Sequence, residues 1–224
     1  MPDITSQLNS GIINAFMNLW YLIPLFFVIA FFKSRYFKGK MGEAFVNSAI
    51  NRKLDKTQYH LIKDATLPTP DGTTQVDHII VSKFGIFVIE TKNMKGWIFG
   101  GKNQKTWTQS IYKNKNKFQN PLHQNYKHIK TLENLLDLSN DKFHSIVVFI
   151  GDSTFKTKMP ENVLSGGYTD YIKSKDTILF TDNEVEKVIE QIESDRYERG
   201  YKTNREHVKH LKQSHSKVRK EPSF

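Results

Sequence analysis

The sequence predicts a mixed α/β domain preceded by a single transmembrane helix. Two short apolar runs, Gln75–Ser82 and Gly85–Lys92, alternate in hydrophobicity and are rich in Val, Ile and Phe, the pattern of half-buried strands. A third run, Ser145–Gly151, is apolar throughout and too short for a typical helix, which predicts a central strand buried on both faces. Helical signals flank these strands, so the sheet is expected to be mixed, with helices on both sides.

Taken in chain order, Ile12–Phe32 carries no charged residue and is dense in Ile, Leu, Phe, Val, Trp and Tyr. About 20 such residues are what a helix needs to cross a bilayer. Lys33, Arg35, Lys38 and Lys40 follow the segment and no Lys or Arg precedes it, which predicts a single-pass protein of the cell membrane with its C-terminal domain in the cytoplasm. A signal peptide fits less well, because no basic residue opens the chain and no small-residue cleavage motif follows. The expected organisation is a short segment over 1–11, the membrane helix over 12–32 with the lipid bilayer as its partner, a basic linker over 33–40, a folded domain over 41–195 and a basic tail over 196–224. The tail holds nine Lys and Arg against three Glu and little apolar periodicity.

Met41–Leu54 reads as a helix, with Glu43, Val46 and Ile50 at i, i+3 and i+7 on one stripe. A carboxylate on a core-facing stripe costs free energy unless it is paired. A metal ion, its water or Lys92 would serve, and so would the positive end of the helix itself. Tyr59–Thr66 predicts a strand ending in the Pro/Gly/Asp-rich turn Leu67–Gly72, completing an antiparallel meander with the two runs above. A tight turn at Lys83–Phe84 pairs Ser82 with Gly85, and stepping outward sets Asp77 opposite Glu90. Opposed residues have Cβ atoms about 5 Å apart, where like charges repel. Lys92 shares that face with Glu90, and Gln75 becomes its cross-strand neighbour. Two acids set against each other beside a lysine suggest a bound cation, and carboxylates with water are natural Mg²⁺ ligands. His78 points to the opposite face, as a packed residue.

Lys95–Gln109 predicts two short strands joined at Gly100-Gly101. Its Trp97, Phe99 and Trp107 suit a sheet edge or, less readily, stacking on bases. Tyr112–Phe118, with Lys113, Lys115 and Lys117, reads as a flexible phosphate-seeking loop. Asn120-Pro121 opens a helix to about Leu136, since Asn caps well and Pro suits the first turn. Asn125 falls on its apolar stripe and Gln124 flanks it, while Lys127 offers a further phosphate contact. Thr177–Thr181 predicts a weaker strand, and Asp182 or Asn183 caps a last helix to about Ile192.

The blocks Gly42-Glu43, Gln75-Val76-Asp77-His78-Ile79-Ile80-Val81 and Gly85-Ile86-Phe87-Val88-Ile89-Glu90-Thr91-Lys92 resemble the NERD (nuclease-related domain) family. Gly96-Trp97-Ile98-Phe99-Gly100, Trp107-Thr108-Gln109 and Asn120-Pro121-Leu122-His123-Gln124-Asn125 look like its later blocks, in family order. The match runs from about Gly39 to Leu136. That family is similar to the PD-(D/E)xK nucleases, so the resemblance implies a restriction-endonuclease-like fold. It further implies Asp77, Glu90 and Glu43 as Mg²⁺ or Mn²⁺ ligands, Lys92 as the hydrolytic lysine and Gln124 as the polar residue of the following helix. The expected activity is phosphodiester hydrolysis, with DNA favoured over RNA.

The chain has 33 Lys and Arg against 23 Asp and Glu, a balance that favours polyanionic partners. It lacks cysteine, which excludes disulfides and thiolate metal sites. No phosphate-binding loop, zinc-ligand spacing or nucleophile elbow is present. A nucleic-acid-binding module with little turnover and a membrane-tethered interaction protein are the alternatives to a nuclease.

Overall fold

A computed structural model describes residue 14 and residues 17–197. The chain divides into two units, Met1–Met41 and Gly42–Phe224. The basic tail lies outside the described residues from residue 198 onward.

In the first unit the expectation of a membrane span is overturned. Residues 12, 13, 15 and 16 of that segment lie outside the described residues. Within the remainder, helix α1 covers only Leu22–Lys33, 12 residues. At 1.5 Å per residue it rises about 18 Å, against a hydrocarbon core of about 30 Å. Both ends have a physical cause. Pro24 has no N–H to give the Trp20 carbonyl, and a turn stands there instead, with the Ile23 amide donating to Trp20 at 3.1 Å. At the other end Ser34 takes extended backbone, and its hydroxyl accepts the Phe37 amide at 3.1 Å, starting helix α2, Arg35–Lys53. Among the described residues no helix is long and apolar enough to cross a membrane. The single-pass localisation with a cytoplasmic C-terminal domain falls with it, and the lipid partner over 12–32 and the membrane-tethered alternative lose the span on which they rested.

The second unit is mixed α/β. Strands β1 (His60–Thr69), β2 (Gly72–Ser82) and β3 (Gly85–Asn93) form the expected antiparallel meander. Helix α3 (Pro121–Leu136) then leads to β7 (Phe143–Ile150), which lies parallel to β3, with the short β9 (Val163–Leu164) beyond it. Alternation decides which layer each residue enters. Ile79, Val81, Ile86 and Val88 pack with Ile129 and Leu132 of α3 and with Val185, Val188 and Ile192 of helix α5, Asp182–Asp195. Ile80, Phe87 and Ile89 pack on the other face with Val46 and Ile50 of α2 and Ile172 of helix α4, Tyr168–Lys173.

A second sheet, in the order β6-β5-β4-β8, continues from the first. It comprises β4 (Gly96–Phe99), β5 (Thr106–Ile111), β6 (Asn114–Gln119) and β8 (Ser153–Phe155). The parallel β3/β7 pair bends and re-forms as the parallel β4/β8 pair, bridged by the Met94 amide donating to Ile150 at 2.9 Å and Gly96 to Asp152 at 2.7 Å. Gly96 takes φ +83° at this bend, and a Cβ there would meet the Ser110 carbonyl at 2.5 Å. Trp107 is buried beneath this sheet, stacked on Phe149, so it is core.

Three expectations change. The Lys/Asn segment is strand β6, not a flexible loop, with Lys115 opposite Ser110 and Lys117 opposite Thr108. Thr177–Thr181 is not a strand; the Leu179 and Phe180 amides instead donate to the Lys83 carbonyl, tying this segment to the β2–β3 turn. Thr181, not Asp182 or Asn183, caps α5, in a reciprocal capping box with Glu184.

Candidate active site

The site forms where β2 and β3 part. Their ladder pairs Ser82 with Gly85 and ends at His78 with Ile89, one step short of Asp77 and Glu90. On the other edge the β1–β2 register also skips Asp77, resuming at Ala65 and Val76, because the facing Asp64 adopts a left-handed backbone with φ 51°. Aspartate is among the few residues that tolerate this conformation. Freed from both ladders, Asp77 turns its carboxylate to accept the Thr91 amide at 2.8 Å.

Glu90 is 2% exposed, and each of its oxygens has a partner. Lys92 donates to Oε1 at 2.6 Å, and His128 lies 3.3 Å from Oε2. Lys92 donates again to Gln124 Oε1 at 2.9 Å. The ammonium is thereby fixed between strand and helix, with one of its three donors left over. Asn120 positions α3: it accepts the Leu122 amide at 3.0 Å, and its own amide nitrogen reaches the Gly101, Lys102 and Gln104 carbonyls at 3.2, 3.1 and 2.7 Å. Asn125, one residue past Gln124, anchors the helix to the sheet by donating to the Val88 carbonyl at 2.8 Å and Ser145 Oγ at 2.9 Å.

The two acids differ electrostatically. Burial, reinforced by the charges of Glu90 and Glu43, holds the Asp77 carboxyl well above the usual carboxylate range, against the Thr91 amide and Lys92. Burial also acts to raise Glu90, but the His128 hydrogen bond and the Lys92 charge outweigh it, leaving Glu90 below its ordinary value.

Asp77, Glu90, Lys92 and Gln124 thus come together. Glu43 is half-buried on α2 and reaches the site through its charge on Asp77. Its helix approaches closely because Gly42 lies against Asn93, where a Cβ would meet the Asn93 Cβ at 2.8 Å. The β2–β3 ladder does not reach Gln75 and Lys92, and the Gln75 amide donates instead to Asp64 at 3.3 Å, on the β1 side. Lys113, Lys115 and Lys117 belong to the β5–β6 hairpin of the second sheet. Lys127 is exposed on the outer side of α3, lining a cleft of about 460 Å³ with Pro68, Pro70 and Tyr126. His78 is buried on the opposite face, 3.3 Å from the Glu43 carbonyl.

Sequence reasoning missed His128 and Thr74. With Nε2–H donated to Glu90, His128 Nδ1 accepts the Thr74 hydroxyl at 2.9 Å, a chain that orients the carboxylate from behind. The signal was present, because His128 is four residues after Gln124 and so shares its helix face.

Among the described residues no three His, Cys, Asp or Glu side chains form a metal-ligand cluster. The donors at hand are the Asp77 and Glu90 carboxylates, a set that suits Mg²⁺, an ion commonly held by one or two carboxylates and its own waters. A half-buried Asp77 under the repulsion of two other acids is also a group that a cation would stabilise.

The model of the nuclease-related domain family, NERD, matches residues 38–150. An uncharacterized protein of Bacillus anthracis is 46% identical over 117 residues, covering 52% of this chain and 54% of that protein. The chain therefore aligns with about half the length of that relative. No solved structure matches.

Proposed function

Since the chain belongs to the nuclease-related domain family, we propose that it hydrolyses phosphodiester bonds of nucleic acid with a divalent ion, DNA before RNA. One observation carries this reading: a lysine held between Glu90 and Gln124, beside an aspartate that burial and neighbouring acids make receptive to a cation. The helix–meander–helix–parallel-strand order supports a restriction-endonuclease-like core.

Asp77 and Glu90 would hold Mg²⁺ or Mn²⁺, with Glu43 acting from α2 through its charge. The ion would supply Lewis-acid polarisation of the phosphoryl group and a lowered pKa for water. Lys92 directs its remaining donor toward an attacking water or a phosphate oxygen, stabilising charge as it develops. Gln124 and Glu90 keep that ammonium from swinging away, and His128 with Thr74 keeps Glu90 from rotating. Burial of Glu90 and the surrounding apolar layer strengthens these contacts by excluding water.

The test uses the full chain with labelled DNA and RNA in Mg²⁺ or Mn²⁺, beside Asp77→Asn and Lys92→Met. Wild-type cleavage is expected to fall by about 10²–10⁴-fold in Lys92→Met, the range for a lost proton-transfer group. Cleavage that survives either substitution overturns the assignment. Manganese is also expected to raise the melting temperature of the wild type and not of Asp77→Asn. A second reading, nucleic-acid binding with little turnover, draws on the prior engagement of Lys92 by Glu90 and Gln124; salt-sensitive binding without cleavage would select it.

A further inference from the structure

We infer that the outer face of the β6-β5-β4-β8 sheet is a platform for single-stranded nucleic acid, with bases on Trp97 and phosphates on the surrounding lysines. The inference rests on the nucleic-acid reading above and names the strand state of the ligand.

The register places Trp97, Ser110 and Lys115 in one row across β4, β5 and β6, and Phe99, Thr108 and Lys117 in the next; Thr154 extends the first row on β8. Opposed residues share a face, and the other face carries Ile98, Trp107 and Phe118 into the core. Trp97 is nevertheless 53% exposed, and Tyr112 at the hairpin turn is 98% exposed. They border a cleft of about 490 Å³ lined also by Lys95, Ser110, Asp152 and Thr154. Lys156 Nζ lies over the Trp97 ring, 4.6 Å from its centroid, so a cation able to meet a phosphate stands at the indole and a base would stack on the ring face it does not cover. Lys95, Lys113, Lys115 and Lys117 form no ion pair among the described residues.

Lysines on an edge strand also discourage strand addition, which accounts for β6 in isolation. That does not account for an exposed tryptophan on β4, which has neighbours on both sides. An aromatic ring that is open to solvent, holds one lysine ammonium against it and borders a cleft lined by Lys95 as well as Asp152 is suited to an unpaired base, since every base has a π-face and a duplex hides it. The platform is also within reach of the site. Lys92 and Lys95 are three residues apart, no more than about 11 Å of chain, so the platform begins close to the site.

The full chain is titrated with oligothymidylate and with a duplex of equal length, in EDTA so that nothing is cut, and tryptophan fluorescence is read. The single strand is expected to bind more tightly and to quench the signal. Trp97→Ala is expected to weaken single-strand binding about tenfold, within the range of one lost base–aromatic stack. Trp97→Phe is expected to retain most of the affinity. Duplex binding as tight as single-strand binding, or unchanged affinity in Trp97→Ala, overturns the platform, as does release of the oligonucleotide by anionic phosphatidylserine vesicles. Cleavage of the same oligonucleotide in Mn²⁺ is scored separately. Binding through Trp97 without cleavage defeats the nuclease reading and leaves the platform; cleavage with Trp97-independent binding does the reverse.

Discussion

Asp77, half-buried, and Glu90, buried, are neighbouring acids whose titrations are displaced in opposite directions, and each displacement makes its own stability test. A carboxyl raised in the folded state takes up its proton earlier than in the unfolded chain, whose value is about 3.9. Stability from Asp77 is therefore complete below that value and is lost as pH rises through the folded one. Above the folded value the charge is a burden, and there Asp77→Asn, which can still accept the Thr91 amide, is expected to melt about 2–4 °C higher, the shift of roughly 1 kcal/mol in a chain of this size. The gain should shrink as the medium is acidified; a difference that does not change with pH would contradict the account. Glu90 runs the other way, contributing stability above its unfolded value of about 4.3 and losing it as pH falls through the depressed folded value. His128→Ala removes a bond that depresses it, at a cost of about 1–3 kcal/mol for a buried acceptor left short of a partner. Melting curves across pH should show a smaller acid loss in that variant, complete at a higher pH, because its folded Glu90 value lies nearer the unfolded one. A uniform drop with no change in pH profile would mean that His128 only fills space.

Helix α3 delivers Gln124 and His128 to the strands, and its first turn decides where they arrive. Asn120 caps that turn and also gathers three carbonyls of the Gly101–Gln104 loop. Asn120→Ala is expected to lower stability by about 1–2 kcal/mol, the upper range for a lost cap, and to reduce cleavage by moving Gln124, while Asn120→Asp keeps only the cap. Equal stability in Asn120→Ala and wild type would remove this role. The Asn-Pro pair announced this helix in the sequence, and the β2–β3 register was equally legible, because a tight turn pairing Ser82 with Gly85 fixes every later partner, although both faces of these strands are buried rather than one. Other elements left weaker marks. Strands β8 and β9 have three and two residues, too few to display a period. Strand β6 reads Asn-Lys-Asn-Lys-Phe-Gln, so its composition resembles a loop while its pairing to β5 makes it a strand. Composition likewise made Ile12–Phe32 look continuous, although Pro24 and Ser34 bound a much shorter helix. The convergence of Asp77, Glu90 and Lys92 was readable from strand geometry, whereas the departure of Gln75 toward Asp64 was not, because it follows from one residue's left-handed backbone.

The formal charge of +10 is unevenly distributed in the sequence, and that distribution links catalytic chemistry to substrate capture. From Thr91 to Leu132 there are nine lysines and no Asp or Glu, a stretch that begins beside Lys92, crosses the second sheet and ends on α3. Acids return at Glu133, which Lys130 engages. The charges carried by this stretch are all of one sign, which draws a polyanion by long-range attraction and makes the encounter sensitive to ionic strength. The two acids at Asp77 and Glu90 lie at its border, where an incoming phosphate meets negative charge unless a cation neutralises it. Binding and cutting should accordingly respond to different ions. Affinity for a single strand should fall with monovalent salt, with a log–log slope of about −0.7 per neutralised phosphate. Replacing Lys115 and Lys117 together by alanine should make that slope shallower by about 1.4 if each meets one phosphate. The measurement is a set of oligonucleotide titrations between low and moderate salt for wild type and double variant. Parallel lines for the two proteins would show that β6 faces solvent and nothing else, leaving Lys95, Lys156 and the α3 lysines to account for whatever affinity remains.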